Sequence, residues 1–191
     1  MNLKELCRGC RTYRRFEQNP VPKEVLADML ENVRVASCGA NAQKLEYLVV
    51  RSADLVRKMQ PLVKWAAYLP REIGSPRPGE EPTAFIVIVK KGGAGAFIDV
   101  DAGIAANTLA MTAWEQGVGS CIMAAIDRPA IAGLLKVPEE DTVFLALALG
   151  YPAHRSVIVP VKEDGSIRYY VDEDRDYYVP KKKMQDIVRI L

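Results

Sequence analysis

A single histidine and four cysteines leave this 191-residue chain short of the side chains that most catalytic sites need. Without a second histidine there is no H-E-x-x-H zinc helix, and neither a G-x-S-x-G elbow nor a Walker A loop occurs. His154 follows a strand end with no partner near it in sequence, so it reads as structural or solvated rather than catalytic. Cys7 and Cys10 form one C-x-x-C pair, but Cys38 and Cys121 do not supply the second pair that a four-cysteine metal site would need. The pair also precedes any strand, which a thioredoxin-type motif would follow, and it reads as ordinary thiols. Charge of one sign is lacking too. The chain carries 26 basic and 24 acidic residues, so no global field points to nucleic acid or to a membrane surface. The longest uncharged run, Ala102 to Trp114, is too short to cross a bilayer, and the opening MNLKELCRGCRTYRRF holds no apolar signal stretch. The expectation is a cytoplasmic protein.

What is present is enough apolar material for one substantial core, with 49% hydrophobic residues and no repeats. One domain over residues 1–191 is the expectation. Pro22 opens a helix over KEVLADMLENVRVA, whose buried face carries Val25, Leu26, Met29, Leu30 and Val33. A small-residue turn, SCGANAQ, precedes a strand at 45–50, and a second helix is expected from Ala53 to Val63. Four prolines and two glycines mark 68–82 as a long loop with the character of a lid. AFIVIV (84–89) and VFLALAL (143–149) are continuous apolar strands that need cover on both faces. GGAG (92–95) reads as a turn. It is not a dinucleotide loop, because Ile98 stands at the third glycine position and Asp99 and Asp101 would repel a pyrophosphate. Residues 98–117 form a helix apolar nearly all round, to be buried inside one subunit or between two. GSCIM (119–123) begins a short strand, and 128–135 is a short helix. The basic end, KKKMQDIVRIL, reads as an amphipathic helix. Apolar strands alternating with helices predict an α/β (α+β) three-layer helix/sheet/helix sandwich, with strand direction left open.

Two basic clusters are the candidate anion sites. Arg11, Thr12, Arg14 and Arg15 precede the first long helix, and arginine with a neighbouring hydroxyl suits a phosphate. Lys181, Lys182 and Lys183 stand where the last helix is expected to start. There they oppose the helix dipole unless an anion sits nearby.

These features together resemble the nitroreductase family of FMN-dependent oxidoreductases. The family's R-R-S-x-R-x-F pattern appears here as CRTYRRF, with Arg11, Thr12 and Arg14 matching and Cys10 replacing the first arginine. Its A-P-S-x-x-N-x-Q-P-W block appears as ASCGANAQKL, where Ala36, Asn41 and Gln43 match, Ser37-Cys38 replace Pro-Ser, and Lys44-Leu45 replace Pro-Trp. DVDAGIAANTLAMTAWEQGVGSC is similar to the family's helix-then-strand block. LALGYP and VPKKKMQDIV follow in the family's order, separated by an insertion at 157–179.

The resemblance implies the nitroreductase-like fold, with the long helix at a homodimer interface. It implies FMN, with Arg11, Thr12, Arg14, Lys181 and Lys182 holding its phosphate and ribityl chain. Cys38, Gly39 and Asn41 would reach the flavin of the opposite subunit. The backbone of Ile122, Met123, Ala124 and Ala125 would lie along the ring, with an N–H of Ala124 or Ala125 facing flavin N5. No side chain need be catalytic, since the flavin carries the hydride chemistry and the protein supplies position and electrostatics. NADH or NADPH would be the donor and a small nitro compound, quinone or enone the acceptor, in a double-displacement cycle. Trp65 and Tyr68 are the candidate pocket residues for that acceptor. The alternative on the same scaffold is a flavin- or nucleotide-binding protein that turns nothing over.

Overall fold

A computed structural model describes residues 2–92, 95 and 97–191. The turn expected at 92–95 falls largely outside these residues. Four strands make the main sheet: β1 (Leu45–Val50), β2 (Ala84–Lys90), β3 (Gly119–Met123) and β4 (Thr142–Gly150). Their order is β1-β2-β4-β3 and every pairing is antiparallel, which settles the direction that patterning left open.

The three-layer arrangement follows from the continuous apolar strands. Successive side chains of a strand point to opposite faces. In β2, Ala84, Ile86 and Ile88 join Leu147 and Leu149 on one face, packed under α2 (Lys23–Arg34) and α5 (Ile98–Glu115). Phe85, Val87 and Val89 join Ala146 and Ala148 on the other, with Met59 of α3 (Ala53–Met59) and Ile131 of α6 (Arg128–Leu135). Phe85, Ile86, Met29 and Leu109 are all fully buried, and each contributes about 1.5–3 kcal/mol by leaving water.

The long helix is α5. It buries Ala102, Ala105, Ala106, Leu109, Ala110 and Ala113 against the sheet. Alanines let it lie close. Its other side leaves Val100 and Ile104 exposed beside Gly103 and Asn107, one helical turn apart. The two acids at its start have partners in the chain: Asp99 pairs with Lys90, and Asp101 accepts from the Gly39 N–H at 2.7 Å. These contacts explain carboxylates at the helix start without any phosphate.

Several elements depart from the sequence reading. A first helix, α1 (Leu3–Gly9), carries a capping box in which Asn2 and Glu5 bond each other's backbone. The helix expected to reach Val63 ends at Met59, and Pro61 lies in a 3₁₀ turn that follows. The loop at 68–82 contains a short helix, α4 (Arg71–Gly74). The basic end is not an amphipathic helix. Lys181 closes a strand, and only Met184–Asp186 is helical, in a single 3₁₀ turn. The lysines therefore face no helix dipole, because Pro180 and the pairing of 177–181 with 156–160 keep the chain extended. A second sheet accounts for the inserted tail: β5 (Ser156–Pro160) runs parallel to β7 (Tyr177–Lys181), and β6 (Tyr170–Val171) pairs β7 antiparallel. Among the described residues no helix is long and apolar enough to cross a membrane.

Candidate functional site

Strand β3 is an edge strand, and the arginine segment closes part of that edge. Thr12 bridges Ser120 in parallel, and the Tyr13 N–H donates to the Ser120 carbonyl at 2.9 Å. Tyr13 is buried and stacks on Trp114 with ring centroids 5.0 Å apart. Gly119 makes that approach possible, since a Cβ there would stand 2.8 Å from both the Tyr13 ring and Pro152.

The arginines of this segment divide by role. Arg15 turns inward, donating to the carbonyls of Asp174 (3.1 Å) and Arg175 (3.0 Å) and pairing with Glu80 at 3.5 Å. Arg11 donates to the Cys7 carbonyl at 3.1 Å, while its buried Nε has no partner in the protein. The backbone N–H of Arg14 donates to His154 Nε2 at 2.9 Å. Its guanidinium lies over the rings of Tyr169 and Tyr177, 4.7 Å from each centroid. Among the described residues neither Arg11 nor Arg14 has a carboxylate partner. Two cations without counter-charges thus share one sheet edge, an arrangement suited to an anion.

His154 is buried and belongs to this scaffold. Its Nδ1 donates to the Arg155 carbonyl at 2.8 Å, which fixes Nε2 as the acceptor for Arg14. Burial, followed by the charges of Arg15 and Arg14, outweighs the bond to Arg155 and lowers its pKa to about 4. It is a neutral spacer at ordinary pH, as a lone structural histidine should be. Cys121, on β3, is fully buried, and burial pushes its thiol up to about 11. Cys10 is half-buried, donates to the Ala110 carbonyl at 3.5 Å, and is likewise raised by burial. Neither of these two thiols is activated.

Beyond Ser120, β3 passes Ile122, which is 45% exposed, and ends at Met123, and the chain runs on through the exposed Ala124 and Ala125. Met123 points back into the core. This short shelf is held by its carbonyls. The Ala124 carbonyl accepts from Arg128 Nη2 at 3.0 Å, and the Ala125 carbonyl accepts from the Lys64 N–H at 2.9 Å. The N–H groups of Ala124 and Ala125 have no partner among the described residues. Ala124 lies four residues along the strand direction from Ser120, about 13 Å from the arginine segment.

The other predicted residues fall into separate places. Cys38, Gly39 and Asn41 form a turn over the start of α5, where a Cβ on Gly39 would meet Phe97 at 2.8 Å. Ala40, Asn41 and Gln43 all have positive φ, between 49° and 53°. Such a concentration of left-handed non-glycine residues costs on the order of 1 kcal/mol each and is the kind of strain that gathers at functional sites. Behind the turn lies a cleft of about 380 Å³ lined by Cys38, Gln43, Lys44, Tyr47 and Asp101. Along α5, Asp101 under the turn and Ala110 beside Cys10 are nine residues apart, about 14 Å at the helical rise. One chain therefore does not bring the turn to its own arginine segment. Lys181 and Lys182 are exposed at the far end of β7, four residues and about 13 Å along the strand from Tyr177.

Trp65 and Ala125 line one groove of about 1160 Å³, together with Lys64, Arg71 and Arg77. Tyr68 does not line it. It is 57% exposed and packs on Tyr169, whose hydroxyl accepts from the Tyr68 N–H at 3.3 Å. Nor is the 68–82 loop a free lid here. Buried Arg175 donates to the carbonyls of Ile73 and Ser75 and to the Glu80 carboxylate. Sequence reasoning missed Tyr169, Arg175 and Tyr177. Their signal was the alternation of polar and aromatic residues in the tail, which gives no hint of targets 95 or more residues earlier.

Comparison with known proteins agrees with this geometry. A model of the nitroreductase family matches residues 8–151. A nitroreductase family protein from Clostridium novyi NT shares 21% identity at a TM-score of 0.69, covering 80% of this chain and 86% of that one. An FMN-dependent nitroreductase from Clostridium difficile R20291 shares 20% identity at 0.66, covering 81% and 90%. The NfrA1 nitroreductase of B. subtilis shares 19% identity at 0.69, covering 83% and 70%. At these identities the structural likeness establishes the fold. No curated protein matches the sequence.

Proposed function

The chain belongs to the nitroreductase family, and on that premise we propose that it binds FMN and passes electrons from NADH or NADPH to a small nitro compound, quinone or enone. The observation that carries this reading is the β3 edge. It holds two cations without counter-charges at one end and two unpartnered backbone N–H groups at the other. The residues fit the cofactor. Arg11, with its orphaned Nε, and Arg14 suit the phosphate. Thr12 offers a hydroxyl beside them. Ile122 gives an apolar surface for a ring, and the Ala124 or Ala125 N–H can donate to a ring nitrogen.

Bound there, the flavin supplies hydride acceptance and donation. The chain's own part is to orient and to exclude. At the shelf, Met123 is apolar and Arg128 is committed to the Ala124 and Phe144 carbonyls, so neither serves as acid or base. The groove that opens at Ala125 and Trp65 offers room for donor and acceptor in turn, which favours a double-displacement cycle. The shelf and arginine segment are one half of the site. The Cys38–Asn41 turn, about 14 Å away along α5, is suited to serve a second copy. The exposed Val100 and Ile104 between them support a homodimer built on this helix.

The test is the absorbance of the purified protein before and after anaerobic NADH or NADPH. Flavin bands that bleach support the reductase. Bands that persist with both donors favour a flavin-binding protein without turnover. A colourless protein that also fails to take up FMN overturns the proposal.

A further inference from the structure

We infer that Tyr169 and Tyr177, supplied by the inserted tail, are positioning residues that hold Arg14 ready for the phosphate of the flavin; this rests on the FMN reading above. The two rings meet at 46° with centroids 6.0 Å apart, forming a V-shaped cradle. The Arg14 guanidinium sits in the notch, 4.7 Å from each ring. A cation over an aromatic face is attracted to the ring's negative quadrupole without using any N–H donor. All five donors of the guanidinium consequently remain available, and none is given to a protein acceptor among the described residues.

The cradle is itself anchored. Tyr177 is 1% exposed and packs at a 45° tilt against His154, which accepts from the Arg14 N–H. Tyr169 packs on Tyr68. Backbone and side chain of Arg14 are thus fixed by separate contacts. This matters because a free arginine carries about 2 kcal/mol of rotamer entropy, which a binding anion must otherwise overcome. Arg11, by comparison, is fixed by its bond to Cys7 and needs no such cradle. Both tyrosines lie in the tail beyond residues 8–151, the stretch that the family model matches.

The prediction is specific to the phosphate, and FMN and riboflavin differ only there. Dissociation constants for both are measured by quenching of flavin fluorescence on wild type, Tyr169→Leu and Tyr169→Phe, with thermal unfolding of each. Tyr169 is half-buried, so its variants should fold; Tyr177→Phe extends the series. The expected result is that Tyr169→Leu weakens FMN by about tenfold and riboflavin hardly at all, while Tyr169→Phe keeps the wild-type ratio. A general loss of packing would weaken both ligands alike. If wild type prefers FMN and Tyr169→Leu shows the same preference, the cradle is overturned and the FMN reading stands. If wild type takes up neither flavin, the FMN reading falls and the cradle with it.

Discussion

Arg175 Nη1 donates to both carboxylate oxygens of Glu80, at 3.0 Å each, across 95 residues of chain. Arg175 is buried, and its remaining donors reach the carbonyls of Ile73 and Ser75. Burial alone would raise the Glu80 carboxyl. Hydrogen bonds from the Arg77 N–H and Arg175, with the charges of Arg175 and Arg15, hold it below its usual range instead. Without Arg175, the half-buried Glu80 keeps Arg15 at 3.5 Å as a cation, but the Ile73 and Ser75 carbonyls lose their donor. Arg175→Ala is expected to destabilise the fold by about 1–3 kcal/mol and to free the 71–80 segment to proteolysis. Urea unfolding and limited digestion check this; an unchanged midpoint would refute it.

The histidine gives a pH signature. Its folded pKa of about 4 lies below the ordinary 6.5. Between these values the unfolded chain takes up a proton that the folded chain does not, so stability falls as pH drops. The loss is absent above 6.5, grows from about 6.5 to about 4, and reaches at most about 3 kcal/mol. His154→Gln should remove this part of the pH dependence. Thermal midpoints of both proteins across pH 7 to 4 decide it, and parallel curves would mean that His154 does not titrate in this window.

Gly119 has no room for a side chain. A methyl group there would enter the space between Tyr13 and Pro152 at 2.8 Å from each. Gly119→Ala should cost about 1–3 kcal/mol and displace the 11–14 segment, so weaker flavin retention should accompany the lower melting temperature. Full flavin retention with the expected loss of stability would separate the anchor from the site.

Arg11→Ala combined with Arg14→Ala should release FMN while leaving the fold intact, because neither side chain pairs with a carboxylate. Flavin content per chain after gel filtration, with circular dichroism, measures both halves of this statement. A double variant that keeps its full flavin would show the phosphate to lie elsewhere.

The exposed stripe of α5 predicts association. Ile104→Glu places a charge on the surface proposed to be covered by a second copy, where an unpaired buried charge is strongly unfavourable. Sedimentation should show a dimer for wild type and a monomer, poor in flavin, for the variant. A wild-type chain that sediments as a monomer at working concentration would exclude the dimer.

Much of the scaffold was legible because its signals are local. The runs at 84–89 and 143–149 read as doubly covered strands, and alternate residues of each do enter opposite cores. The helices Lys23–Arg34, opening after Pro22, and Arg128–Leu135 stand where they are read from the sequence. The basic end misled because lysine density and scattered apolar residues mimic an amphipathic helix. What decides its shape is a strand partner, Ser156–Pro160, that no local rule identifies. Arg15 was grouped with Arg11 and Arg14 by sequence, yet Arg15 is turned towards Glu80 and the tail. Alternation along an extended segment turns Arg15 away from its neighbour Arg14, and only the contacts to Asp174, Arg175 and Glu80 set it apart from Arg11. Tyr68 was grouped with Trp65 for a similar reason, and its partner Tyr169 lies 101 residues away.

The contacts that shape the arginine segment span 140 residues to His154 and 160 to Arg175. Such long closures come late, because the chain entropy of a large loop must be lost before they form. During synthesis the N-terminal arginines leave the ribosome well before their cradle exists. All four strands of the main sheet precede Tyr169 and Tyr177 in the chain. If the site holds FMN as proposed, its Arg14 contact is complete only once the tail has folded back onto the arginine segment.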